Sequence, residues 1–127
     1  MDPRIQIVIS TIENEFFCRT LSSEKLAHLV NLSPSRLQHL FKAETGETPM
    51  HCLKTRRMRA VEVLLRTEFL NGKEVMNRVG LTNYSNFIHD FKRAYGVAPG
   101  RYRALTRSVN AASPSYRLLP PAKFARQ

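Results

Sequence analysis

Tryptophan is missing from this 127-residue chain, cysteine occurs twice, and acids are scarce, ten Asp plus Glu against twenty Lys plus Arg. Two isolated cysteines, Cys18 and Cys52, supply neither the paired Cys/His spacing of a zinc site nor a disulfide framework. Both read as small packing residues, and no metal is expected. No apolar run approaches the roughly 20 residues that a bilayer span requires, and Met1-Asp2-Pro3-Arg4 opens no signal-peptide apolar stretch. The expectation is a cytoplasmic protein without a membrane partner. Catalytic constellations are also wanting. There is no spaced carboxylate pair, Gly-rich phosphate loop or nucleophile motif, so the chain does not read as an enzyme and no cofactor is expected.

What is present is positive charge on a chain with material for a modest core. The net charge is +10 and 43% of residues are apolar. An excess of this size favours a polyanionic partner, nucleic acid or an acidic membrane face, without choosing between them.

The chain repeats itself at an offset of 50 residues. Ser35, His39, Phe41, Lys42, Gly46 and Pro49 recur as Ser85, His89, Phe91, Lys92, Gly96 and Pro99. Upstream the offset becomes 49, where Leu26, Val30, Leu32 and Ser33 correspond to Val75, Val79, Leu81 and Thr82. One residue is therefore inserted in the second copy's turn. Each copy reads as a short helix, a tight turn and a longer helix. Asn31 and Gly80 fall at equivalent positions and are the residue types that best tolerate the left-handed conformation closing a helix. Ser33 and Pro34 suit the cap and first position of the next helix, and Thr82 or Asn83 can cap its counterpart.

In the first copy's second helix, Leu37, Leu40 and Phe41 form a core stripe. Ser35, Gln38, His39 and Lys42 share the other face. The corresponding set in the second copy is Ser85, Ile88, His89 and Lys92, with Asn86 beside it. Such a face is either merely solvated or suited to a major groove, and its recurrence behind a helix and turn favours the groove. Ile88 is either a contact for a thymine methyl or a core residue.

Thr48 and Pro49 open a helix to about Thr67, with Met50, Leu53, Val61, Leu64 and Leu65 expected inward. At 1.5 Å per residue it reaches about 28 Å, near the roughly 34 Å between successive major-groove faces of a duplex. Lys54, Arg56, Arg57 and Arg59 make it basic, which suits phosphate contacts or solubility alike. Ile5, Val8, Ile9, Ile12 and Phe16 mark an amphipathic helix entered through Asp2-Pro3. Pro99 to about Ser108 closes the folded part, with Tyr102 and Leu105 as anchors. The expected fold is all-α, with about seven helices: residues 3–47 a first helix-turn-helix subdomain, 48–67 a spacer helix, 68–108 a second subdomain. Residues 109–127 lack periodicity and are expected to be a mobile tail.

The string from Leu32 to Lys42, then Gly46, Thr48-Pro49 and Arg57-Met58, resembles the AraC/XylS family of bacterial transcription regulators. Val79-Gly80-Leu81, Asn83, Phe87, Phe91-Lys92, Gly96, Pro99 and Tyr102-Arg103 resemble that family's second helix-turn-helix. The resemblance covers about residues 3 to 107. It implies two homeodomain-like three-helix units, recognition helices in successive major grooves of double-stranded DNA, and activation of transcription through RNA polymerase. Departures lie at His39 and His89, where the family often has Arg, and at Cys52, Gly72 and Met76.

These readings assign Ser35, Gln38, His39, Ser85, Asn86, Ile88 and His89 to base edges. Arg36, Lys42, Lys54, Arg56, Arg57 and Lys92 are assigned to phosphates. One chain is expected to read an asymmetric site of roughly 20 base pairs, associating with the nucleoid through DNA. An N-terminal effector or dimerisation domain is a further partner the resemblance allows. The alternative is a basic helical module for RNA or a membrane surface.

Overall fold

The computed structural model describes residues 1–110; the expected tail from residue 111 onward lies outside them. The described residues form seven helices and no strand: α1 (Pro3–Glu15), α2 (Ser23–Leu29), α3 (Pro34–Thr45), α4 (Pro49–Thr67), α5 (Gly72–Arg78), α6 (Tyr84–Tyr95) and α7 (Pro99–Asn110). The chain divides into two units, with the boundary between Arg57 and Met58 inside α4.

In the first unit, α1 starts where the Asp2 carboxylate accepts the Arg4 N–H at 2.8 Å, with Pro3 in the first helical position, where a missing N–H costs little. Ile5, Val8 and Ile12 recur at helical spacing and are fully buried. They pack in one cluster with Leu26 and Ala27 of α2, Leu37 and Phe41 of α3, and Cys52 and Leu53 of α4. The helix expected as a spacer is thus no segment apart: its first turns complete this core.

The second unit buries Met58, Val61 and Leu65 of α4, Val75 and Met76 of α5, and Phe87 and Phe91 of α6. Met76 fits despite its length, at 7% exposure. Aromatic rings join α6 to α7: Phe91 stacks on Tyr95 at 4.6 Å and meets Tyr102 edge-on at 5.4 Å. The Tyr102 hydroxyl donates to Glu62, which Arg66 grips with two N–H groups.

Several expectations change. Met50 is exposed, because Pro49 takes the inward place in the first turn of α4 and Cys52 and Leu53 continue that stripe. Leu64 and Leu105 are only half-buried. Cys18 is no packing residue: it is half-exposed, and its Sγ shares a hydrogen bond with the Thr20 hydroxyl that holds the thiol below its usual pKa. Helix α7 runs past Ser108 to Asn110.

Candidate nucleic-acid interface

The turns behind the two longer helices are built alike. After α2, Asn31 adopts φ 58° and its N–H donates to the His28 carbonyl, while the Leu32 N–H reaches back to Ala27 at 3.0 Å. After α5, Gly80 adopts φ 88°, its N–H donates to Asn77, and the Leu81 N–H reaches Met76 at 3.0 Å. This paired bonding satisfies carbonyls a helix end would leave open and turns the chain sharply. The inserted residue follows: four residues, 30–33, separate α2 from α3, and five, 79–83, separate α5 from α6.

Caps then fix where each exposed helix begins. The Ser33 hydroxyl accepts the Arg36 N–H at 3.1 Å, and the Asn83 side chain, not Thr82, accepts the Asn86 N–H at 2.9 Å. Both helices end at a left-handed glycine, Gly46 at φ 86° and Gly96 at φ 85°, whose N–H closes on Lys42 and Lys92 respectively. Leu37 and Phe41 anchor α3 inward, and Phe87 and Phe91 anchor α6.

Anchored this way, α3 exposes Ser35, Arg36, Gln38, His39 and Lys42 together. Helix α6 exposes Ser85, Asn86, His89 and Lys92, and Ile88 beside them is half-buried rather than in the core. Arg36, Lys42 and Lys92 are in no ion pair among the described residues, which leaves their charge unneutralised. Asp90 lies on α6 as well, at hydrogen-bond distance from Arg93.

The basic run of α4 does not act as one surface. Arg57 is 8% exposed, and its guanidinium donates to the carbonyls of Phe16 at 2.7 Å and Cys18 at 2.8 Å. Burial pushes its pKa down. Its donors hold the chain end after α1 onto α4, so its assignment to a phosphate is corrected. Arg56 pairs with Glu13 at 2.8 Å and lies 4.0 Å over the Phe16 ring. Lys54 is half-buried on the same helix.

Residues outside the expected set also border these helices. Tyr84, exposed at the first position of α6, has the Lys73 ammonium 5.4 Å from its ring. A Cβ on Gly72 would meet its hydroxyl at an ordinary 3.5 Å. Arg4 lies beside α3, in a groove with Arg36 and His39. Lys73 and Arg4 both lie outside the residues that align between the copies, so the repeat gives no signal for them.

Among the described residues there is no cluster of His, Cys, Asp and Glu that could hold a metal ion, and no helix is long and apolar enough to cross a membrane.

Comparison with known proteins agrees with this architecture. The family model of a helix-turn-helix domain matches residues 26–105. The HTH-type transcriptional regulator AlkR of Acinetobacter baylyi is 35% identical over 80 residues, covering 63% of this chain and 26% of AlkR. The XylDLEGF operon transcriptional activator of Pseudomonas putida is 28% identical over 101 residues, covering 77% of this chain and 31% of the activator. The chain thus spans about a quarter to a third of the length of these relatives. Among solved structures, the DNA-binding domain of AdpA in complex with a target DNA matches with a TM-score of 0.76 and 26% identity, covering 89% of this chain and all of that domain. This chain belongs to the AraC/XylS family of helix-turn-helix transcription regulators.

Proposed function

We propose that the chain reads an asymmetric DNA site of roughly 20 base pairs by inserting α3 and α6 in adjacent major grooves, and that it activates transcription. The observation carrying this reading is the duplication of one device with two different faces. Each exposed helix follows a sharp capped turn, is pinned inward by two apolar anchors, and presents polar side chains outward. At the 50-residue offset Gln38 corresponds to Ile88 and Arg36 to Asn86, so the two half-sites differ in chemistry. Helix α4, 19 residues or about 28 Å long, suits an address of successive turns.

In this reading Ser35, Gln38, His39, Ser85, Asn86, Ile88 and His89 contact base edges, and Arg36, Lys42, Lys54, Arg56 and Lys92 contact phosphates. Gln suits adenine, Ile88 suits a thymine methyl, and His39 and His89 offer fewer donors than the two-pronged Arg that would select guanine. Activation would come through RNA polymerase; the P. putida relative is named a transcriptional activator. The greater length of the relatives leaves room there for an effector or dimerisation domain, and the same is proposed for the regulator this domain serves. Its site of action is the cytoplasm, at the nucleoid.

Competition for the fluorescently labelled chain between duplex DNA, structured RNA and anionic vesicles tests the choice of partner. Duplex should compete at the lowest concentration. RNA or vesicles competing better would reinstate the module for RNA or a membrane surface.

A further inference from the structure

A groove on the first unit is lined by Arg4 from α1, Leu32 from the turn, and Arg36, His39 and Leu40 from α3. Its composition is two guanidiniums and an imidazole over two leucines. Arg4 is not a loose arm reaching in. The Asp2 N–H donates to Glu44 at 2.9 Å, which ties the start of α1 to α3, and Ile5 is fully buried next to it. The groove borders the exposed face of α3, since His39 belongs to both.

The Arg4 charge is not free in this state. Its Nη2 donates to one Asp2 carboxylate oxygen at 2.9 Å and its Nε to the other at 3.2 Å. Asp2 therefore serves twice, as cap of α1 and as internal counterion of Arg4. The Arg4 side chain is exposed and that of Asp2 half-exposed, so solvent screens the pair and an incoming anion can take the guanidinium over at small cost.

We propose that this groove seats a phosphate of the DNA strand bordering the major groove that α3 enters, with Arg4 and Arg36 as its two anchors and Asp2 as the counterion the phosphate displaces. The site rests on the DNA-reading role of α3 proposed above. Guanidinium suits it because its planar fork matches phosphate oxygens with two N–H groups, and Leu32 and Leu40 give the adjoining sugar an apolar floor. The contact carries no base information.

Binding of the chain to a selected duplex and to a random duplex, followed by anisotropy over a salt series, tests the site. Arg4→Gln should weaken both duplexes alike, about 5-fold at moderate salt, and lower the slope of log affinity against log salt by about 0.9. Arg4→Lys should restore the slope. Asp2→Asn keeps the cap, since Asn caps as well as Asp, and should tighten both duplexes several-fold. The Arg4→Gln, Arg36→Gln pair should lose less than the product of the single losses, because both side chains share one phosphate. Lys92→Gln, outside the groove, serves as reference, and unchanged melting temperatures separate binding from folding. Unaltered affinity and slope for Arg4→Gln, alongside a loss for Lys92→Gln, would overturn the groove and leave the DNA reading standing. Loss on the selected duplex alone would overturn it too, by making Arg4 a base reader. A wild-type chain that binds no duplex would overturn both.

Discussion

The Tyr102 hydroxyl donates to Glu62 Oε2 at 2.7 Å, joining the start of α7 to the α4 segment of the second unit. Burial pushes the Tyr102 pKa far up, and the hydrogen bond to Glu62 adds to it. Burial, then the Glu62 charge, pushes Tyr95 up to about 12. The fold therefore prefers both phenols protonated. Stability from this preference is whole below the ordinary phenol pKa of about 10 and is lost as pH rises through the folded values. Melting temperature should fall steeply between about pH 10 and about pH 12, and less steeply in a Tyr95→Phe, Tyr102→Phe variant. Equal slopes would remove the two phenols from the account. At neutral pH, Tyr102→Phe should cost about 1 kcal/mol in denaturant unfolding.

Thr55 sits 1% exposed in α4, and its hydroxyl has no hydrogen-bond partner among the described residues. An unpaired buried hydroxyl costs free energy that a methyl of the same shape does not. Thr55→Val should stabilise the protein by about 1 kcal/mol in urea unfolding. Destabilisation would mean that the hydroxyl is bonded in solution.

Asn31 and Gly80 hold the same left-handed turn with and without a side chain. Gly80→Ala should cost about 1 to 2 kcal/mol and Gly80→Asn less, whereas Asn31→Gly should be close to neutral. Thermal melts of the three variants check the order; a tolerated Gly80→Ala would show that the backbone there relaxes out of the left-handed region.

Arg57 tests the division of labour along α4. Arg57→Gln should destabilise the fold by about 2 kcal/mol, because it leaves the Phe16 and Cys18 carbonyls short of donors, yet leave the salt dependence of DNA binding as it is. A salt slope lowered by about 0.9, with stability intact, would return Arg57 to the phosphate set.

The scaffold was legible in the sequence because repeats report backbone demands. Asn31 and Gly80 answer a left-handed turn, Ser33 and the Thr82-Asn83 pair a helix start, and Phe41 and Phe91 a core position, each visible without knowing what surrounds it. The basic run of α4 was not legible in the same way. Consecutive positions of a helix point about 100° apart, so Lys54, Arg56, Arg57 and Arg59 share composition without sharing a face. Which of them turns inward depends on the carbonyls after α1, about 40 residues away in sequence, a separation that spacing does not encode. Arg4 was missed for the same reason: its neighbourhood with Arg36 and His39 is tertiary. Ile88 could not be placed because an apolar residue at the border of a stripe fits either side, and the fold leaves it half-buried.

Base reading and charge neutralisation should separate by mutation. Gln38→Ala should cost about 1 to 3 kcal/mol on the preferred duplex and little on random duplex, whereas Lys42→Ala should weaken both alike and flatten the salt dependence. Equal losses on both duplexes for Gln38→Ala would take Gln38 out of the base-reading set.

The most direct measurement of the central claim is selection of bound sequences from a random duplex library at fixed salt, followed by footprinting of the winners. Two reading helices with unlike faces predict a single asymmetric site of roughly 20 base pairs, with two informative stretches about one helical turn apart. A palindromic consensus, or one informative stretch confined to a single turn, would contradict it.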